Sequence, residues 1–222
     1  MATPSDVAGF RSALAAVSQL STEQLADFLA SVDLHSGPAA RDALLDIVPA
    51  LTTQGGEVAA LVAAEYYDEL RAAEGIPGGY RASLADTTPI EQVEARVRFG
   101  AGHLFTDTPE LIVPFLHGIV DQYVKQPGRD TLVQSAAQDP RRPRWARVPS
   151  GRETCDWCVM MASRGFVYLS EATARRAELT KFHPSCDCAL VVDWSNDPRL
   201  EGYDPDYYYG LYKAGPYAWK WA

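Results

Sequence analysis

What this sequence lacks narrows its function before any motif is considered. No uninterrupted apolar run approaches the ~20 residues a membrane helix needs, so no membrane partner is expected. The opening residues, Met1 to Asp6, lack the charged region and long apolar run of a secretory leader. The expected site of synthesis and residence is a cytoplasm, where thiols stay reduced. Positive charge is also short. Against 29 Asp and Glu there are 20 Lys and Arg, a formal charge of −9 that argues against a general nucleic-acid binder. Catalytic signatures are missing as well: no G-x-S-x-G elbow, no phosphate-cradling G-x-x-x-x-G-K-[ST], no H-E-x-x-H, and no deaminase order of H-x-E before C-x-x-C. His35, His103 and His117 stand alone on helical patterns, and Glu65, Asp68 and Glu69 read as a solvated acidic face. No catalytic residue is assigned.

Cysteine is scarce, and its placement is the strongest signal in the chain. All four lie in one span, as Cys155-x-x-Cys158 and then His183-x-x-Cys186-x-Cys188. Zinc is the first candidate, because it takes four ligands tetrahedrally from thiolate and imidazole, and a C-x2-C pair offers two from one turn. Five side chains compete for four positions. The expected set is Cys155, Cys158, Cys186 and either His183 or Cys188, since C-x-C is a tighter bite than the usual ligand pair. Disulfides between the two pairs, or reduced packed thiols, are the alternatives. A reduced compartment favours the metal. A catalytic zinc would need an open position and a general base, and the spacing provides neither, so the expected role is structural.

The remainder reads as α+β and mainly α: a helical domain over residues 1–138, a small Cys/His α+β module over 139–194, and an aromatic tail over 195–222. The 47% hydrophobic content is enough to bury a real core. Val7, Phe10, Leu14 and Val17 recur at helical spacing, and Ser21 or Thr22 is expected to cap a second helix carrying Leu25, Phe28, Leu29 and Val32. Pro38 opens a third segment, which Pro49 is expected to kink and Gly55-Gly56 to break, followed by a helix from Glu57 to Ala73. A loop from Gly75 to Gly79 precedes a capping box at Thr88 to Glu91 and a helix through Val93, Val97 and Leu104. Thr108-Pro109 starts another from Leu111 to Val124, and a short one closes the domain from about Asp130 to Gln138. Beyond the Pro/Arg boundary at 139–144, β-like runs are expected at Trp145 to Val148, Phe166 to Leu169 and Ala189 to Trp194, with a short helix from Cys158 to Ser163. A module this small buries too little to be comfortable alone, which gives a metal clamp an energetic purpose.

Two surfaces are candidates for partners. A basic stretch of Arg129, Arg141, Arg142, Arg144, Arg147 and Arg152 can meet DNA or an acidic protein, against the plainer reading of a solvated charged face. Tyr207, Tyr208, Tyr209, Tyr212, Trp219 and Trp221 crowd the tail, which is not expected to fold by itself. It either wraps over the helical domain or is held by a partner.

The ordered combination of Arg147, Gly151, Cys155, Asp156, Trp157, Cys158, Gly165, Tyr168, His183, Pro184, Cys186 and Cys188 resembles the Mu F-like minor head proteins of tailed bacteriophages. The likeness covers residues 139–194, and helices ahead of such a module resemble the versions in phages of actinobacteria. The resemblance implies a minor capsid protein acting in head morphogenesis at the portal vertex. Its partners would be the portal protein and the major capsid or scaffold protein, with contact to packaged DNA. Its place would be the capsid interior of the virion, and the host cytoplasm during assembly. A capsid maturation protease or zinc-dependent hydrolase is the competing expectation.

Overall fold

The computed structural model of the chain describes residues 2–151, 154–167, 182, 186 and 188–215. Among these residues, four helices, a two-stranded antiparallel ribbon and two shorter helices make it α+β and mainly α, as the periodicity predicts. Helix α1 spans Pro4–Ala30 and starts in a capping box, in which the Thr3 hydroxyl accepts from the Asp6 N–H and Asp6 reaches back to the Thr3 N–H. The expected break near Ser21 does not occur. Ser21 and Thr22 donate back to the carbonyls of Val17 and Ser18, four residues earlier, so their hydroxyls are spent inside one continuous helix.

Helix α2, Pro38–Ala73, likewise runs unbroken through Pro49, Gly55 and Gly56. Helix α4, Ile112–Gln138, joins two expected helices across Pro127 and Gly128. Gly55, Gly56, Pro127 and Gly128 sit where the helices touch. A Cβ on Gly55 would lie 2.6 Å from the Ser21 hydroxyl and 2.8 Å from Val124; one on Gly128 would lie 2.8 Å from the Ala59 carbonyl oxygen. Helix-breaking letters therefore mark the closest crossing of α1, α2 and α4, and tertiary burial outweighs their local propensity. By length and composition alone α2 would also suit a membrane span, but half of its apolar window is buried, and it packs on α1, α3 (Ile90–Gly100) and α4. Helix α3 begins near the predicted place without a side-chain cap, and two 3-10 turns, Ala101–Phe105 and Pro109–Leu111, connect it to α4.

The chain between α2 and α3 is laid across α4 by polar groups that would otherwise be buried without partners. Ala85 and Ser83 donate their N–H to the hydroxyls of Thr131 and Ser135, and the Tyr80 hydroxyl donates to the Ser135 carbonyl. Arg71, 4% exposed, donates to the carbonyls of Ile76, Pro77 and Gly78 and, through Nε at 3.0 Å, to Asp139. Asp139, at the end of α4, also accepts from the Tyr67 hydroxyl, the Trp194 indole N–H and the Arg141 N–H at 2.9–3.0 Å. One carboxylate thus ties α2, α4 and the segment after the ribbon together.

Strand β1, Arg144–Val148, pairs antiparallel with β2, Ala189–Asp193, with Arg147 opposite Leu190. Both strands are almost wholly buried, because the bundle covers them and one apolar cluster runs from Phe10, Tyr67 and Leu132 into Trp145, Val191 and Met161. Helix α5, Asp156–Ala162, follows β1. Phe166 and Val167 are not in a strand, contrary to the expected run, whose remaining residues 168 and 169 lie outside the described ones. In the tail, Pro205–Ala214 forms helix α6, which among the described residues packs on α5. Tyr203 donates its hydroxyl to the Ala162 carbonyl and meets Phe166 edge-on, which anchors the helix.

Two outcomes follow from this packing. Gly128→Ala should cost about 1–3 kcal/mol in denaturant unfolding through overpacking, whereas Gly210→Ala in α6, where a methyl group meets nothing within 4 Å, should be neutral or stabilising. Burial works against the charge on Asp139, but its hydrogen bonds outweigh this and hold the carboxyl below the usual range. Its contribution is therefore complete above pH ~4 and lost as pH falls further, through the folded-state value. Asp139→Asn should cost about 3–5 kcal/mol at neutral pH by stranding Arg71, with the difference from wild type shrinking in acid. Chemical denaturation across pH reads both.

Candidate metal centre

Three of the four cysteines meet in the interior. The sulfurs of Cys158, Cys186 and Cys188 all lie within 4.8 Å of one another, and each residue is buried. Cys158 sits in the first turn of α5, Cys188 immediately precedes β2, and Cys186 is two residues earlier. Helix α4 fixes that second segment: Gln122 Nε2 donates to the Phe182 carbonyl at 2.6 Å, and Arg129 Nη2 to the Cys186 carbonyl at 2.8 Å. Cys155 is the N-cap of α5, its Sγ accepting the Cys158 N–H at 3.3 Å.

The spacing suits a thiophilic ion. A tetrahedral centre with metal–sulfur bonds of about 2.3 Å places its sulfurs about 3.8 Å apart. Cys158 and Cys186 Sγ are 3.4 Å apart, too far for a covalent bond, and none of the four cysteines is in a disulfide. Proton sharing among the thiols is uneven. Cys186 is held far below the ordinary thiol range, chiefly by its hydrogen bond with Cys158 and then that with Cys188, while the same bond pushes Cys158 up. For Cys188 the Cys158 contact lowers the value, but the Cys186 contact and burial outweigh it, raising the thiol to about 12. The pocket therefore already favours one thiolate, and a bound cation would favour three.

Two buried guanidiniums face this cluster. Arg147 is 0% exposed, with Nη2 3.6 Å from Cys186 Sγ and 4.0 Å from Cys158 Sγ. Arg129 is 6% exposed, and both guanidinium carbons lie over the Phe182 ring, at 3.9 Å for Arg129 and 3.8 Å for Arg147. Burial works against the charge on Arg129, the negative charge at Cys186 supports it, and Arg147 opposes it. A pair of like charges in the interior persists only where negative charge stands nearby, and the sulfurs supply it together with the Asp121 carboxylate on the Arg129 side.

The predicted residues thus separate. Cys158, Cys186 and Cys188 come together; Cys155 caps the adjoining helix outside that set; His183 lies outside the described residues. The proposed basic surface divides, since Arg129 and Arg147 point into the core, Arg141 and Arg142 are exposed, Arg144 is half-buried, and Arg152 lies outside the described residues. Charge pattern alone read two core arginines as surface ones. A strand position within an apolar run was the available hint for Arg147; none existed for Arg129 or for Phe182. In the tail, Tyr207 and Tyr209 are exposed, Tyr208 and Tyr212 half-buried, and Trp219 and Trp221 outside the described residues.

Comparison with known proteins gives a consistent placement. A profile of the VG15 protein family matches residues 1–215. The gene 15 protein of Mycobacterium phage D29 is 41% identical over 115 residues, covering 38% of this chain and 42% of that protein. The gene 15 protein of Mycobacterium phage L5 is 32% identical over 81 residues, 21% of this chain and 28% of its own length. The matched part is thus less than half of either relative. No solved structure matches.

Alanine at Cys158, Cys186 or Cys188 should each abolish stoichiometric retention of a thiophilic metal through dialysis, because removal of any one sulfur opens the buried site. Metal analysis of the three variants beside wild type checks this. Retention by any one of them would remove that sulfur from the ligand set.

Proposed function

The chain belongs to the VG15 protein family, and we propose that it is a minor capsid protein of a tailed bacteriophage, acting in head morphogenesis at the portal vertex. The family match across residues 1–215, with mycobacteriophage proteins among the relatives, carries the reading. The order of cysteine, glycine and histidine motifs from Arg147 to Cys188, similar to that of Mu F-like minor head proteins, supports the finer assignment. Its partners are the portal protein and the major capsid or scaffold protein. Its location is the capsid interior, reached from the host cytoplasm during assembly.

In this reading the cysteine centre holds zinc as a structural clamp. Cys158, Cys186 and Cys188 supply three thiolates and Cys155, at the start of α5, the fourth. Four thiolates around a divalent ion leave two negative charges, and two buried guanidiniums, Arg129 and Arg147, stand beside them. A His183 ligand would leave only one. The zinc supplies a cross-link between α5 and the β2 segment, and the role is not catalytic. Exposed Arg141 and Arg142 and the tyrosine face of α6 are the surfaces left for portal, capsid or DNA.

Co-expression with the cognate portal protein, together with mass spectrometry of purified virions, tests the role. The expected result is co-purification with portal and a few copies per particle. Absence from virions and no portal association would overturn it. Loss of capsid-protein processing in a folded Cys188→Ala or His183→Ala variant would instead favour the maturation protease or hydrolase.

A further inference from the structure

A groove of about 380 Å³ lies between the first turns of α1 and the last turns of α2, lined by Asp6, Phe10, Tyr66, Glu69 and Glu74 among others and by no cysteine. Its wall is aromatic and its rim acidic. Phe10 and Tyr66 stack with centroids 4.4 Å apart and planes 6° from parallel. Tyr66 is 8% exposed, and its hydroxyl is buried with no hydrogen-bond partner among the described residues. Burial first, and then the Asp6 carboxylate, push this phenol up.

A buried phenol left unsatisfied costs stability, and the fold gains nothing from keeping the oxygen. Phenylalanine would fill the same space. The oxygen is explained if something outside the chain completes it. The acidic rim selects a cation, and the aromatic wall selects an organic one over a hard metal ion, which would demand more oxygen ligands. A guanidinium fits best. It is planar, carries five N–H donors for the phenol oxygen and the carboxylates, and lies well on aromatic faces.

We propose that this groove receives an arginine side chain from a basic segment of a partner protein. Tyr66 is the acceptor at the groove wall, Asp6 and Glu69 supply the countercharge, and the Phe10–Tyr66 stack supplies the apolar surface. The site shares no residue with the cysteine centre, so it stands whether or not that centre holds zinc.

The test is titration of the full-length protein with a short peptide of alternating Ala and Arg, beside its citrulline counterpart, which keeps the shape and drops the charge. Saturable binding of the arginine peptide alone is expected. Tyr66→Phe should weaken it about tenfold while leaving the thermal midpoint unchanged or higher. Glu69→Gln should weaken it severalfold, whereas Glu65→Gln, equally exposed on α2 but outside the groove, should leave it unchanged. No binding, equal binding of the citrulline peptide, equal effects of Glu69→Gln and Glu65→Gln, or a lowered thermal midpoint in Tyr66→Phe would each overturn the proposal. So would displacement of the peptide by Ca²⁺ at equal concentration.

Discussion

Two guanidiniums inside the fold set the terms for everything packed around them. Arg129 enters from α4 and Arg147 from β1, both are buried, and both lie over Phe182 beside the sulfurs of Cys158 and Cys186. Interior cations of one sign are tolerable only with negative charge at hand, so the cysteine cluster and the arginines belong to one electrostatic unit. That unit spans the supposed boundary between helical body and small module. Helix α4 holds the Cys186 segment through Gln122 and Arg129, and the ribbon is covered by bundle helices. The small module is thereby relieved of having to build a core of its own.

Asp139 does the corresponding work at the other end of the ribbon. It gathers Arg71, Tyr67 and Trp194, while Arg71 also pins the chain that leaves α2. Tyr67, Arg71 and Trp194 reach this carboxylate from two other segments, which specifies one arrangement of elements where apolar packing alone would tolerate several. The carboxylate and the sulfur cluster together fasten the ribbon to α4 at both ends. Rearrangement of the cysteines would therefore be felt in the bundle.

Much of this was legible in the sequence, and the misses have physical reasons. Helical periodicity located α1 to α4 and the β-like runs located both strands, because amphipathic stripes and short apolar runs are local signals. Pro49 and Gly55-Gly56 read as breakers, and the residues between Val124 and Asp130 as a gap between helices. At Gly55, Gly56 and Gly128 the meaning is tertiary: they let α1, α2 and α4 approach closely, and no local pattern distinguishes that from a helix end. Ser21 and Thr22 resemble caps in sequence but bond backward along the helix. The cysteine spacing pointed to a centre and left His183 and Cys188 as candidates for its last position; the fold brings Cys188 to Cys158 and Cys186. Arg129 and Arg147 looked like surface charge because their compensating sulfurs lie far away in sequence or on another element. The aromatic tail is not expected to fold by itself, and its helix α6 indeed rests on α5 and Phe166.

Membership of a family with mycobacteriophage relatives gives the setting, and the buried sulfur centre gives the physical claim on which the functional account stands. Elemental analysis of the protein purified under reducing conditions, combined with thiol titration before and after unfolding, addresses that claim most directly. The account predicts one zinc per chain, with the buried thiols unreactive until the protein is unfolded or the metal is chelated. A folded protein with no metal and all 4 cysteines freely reactive would contradict it.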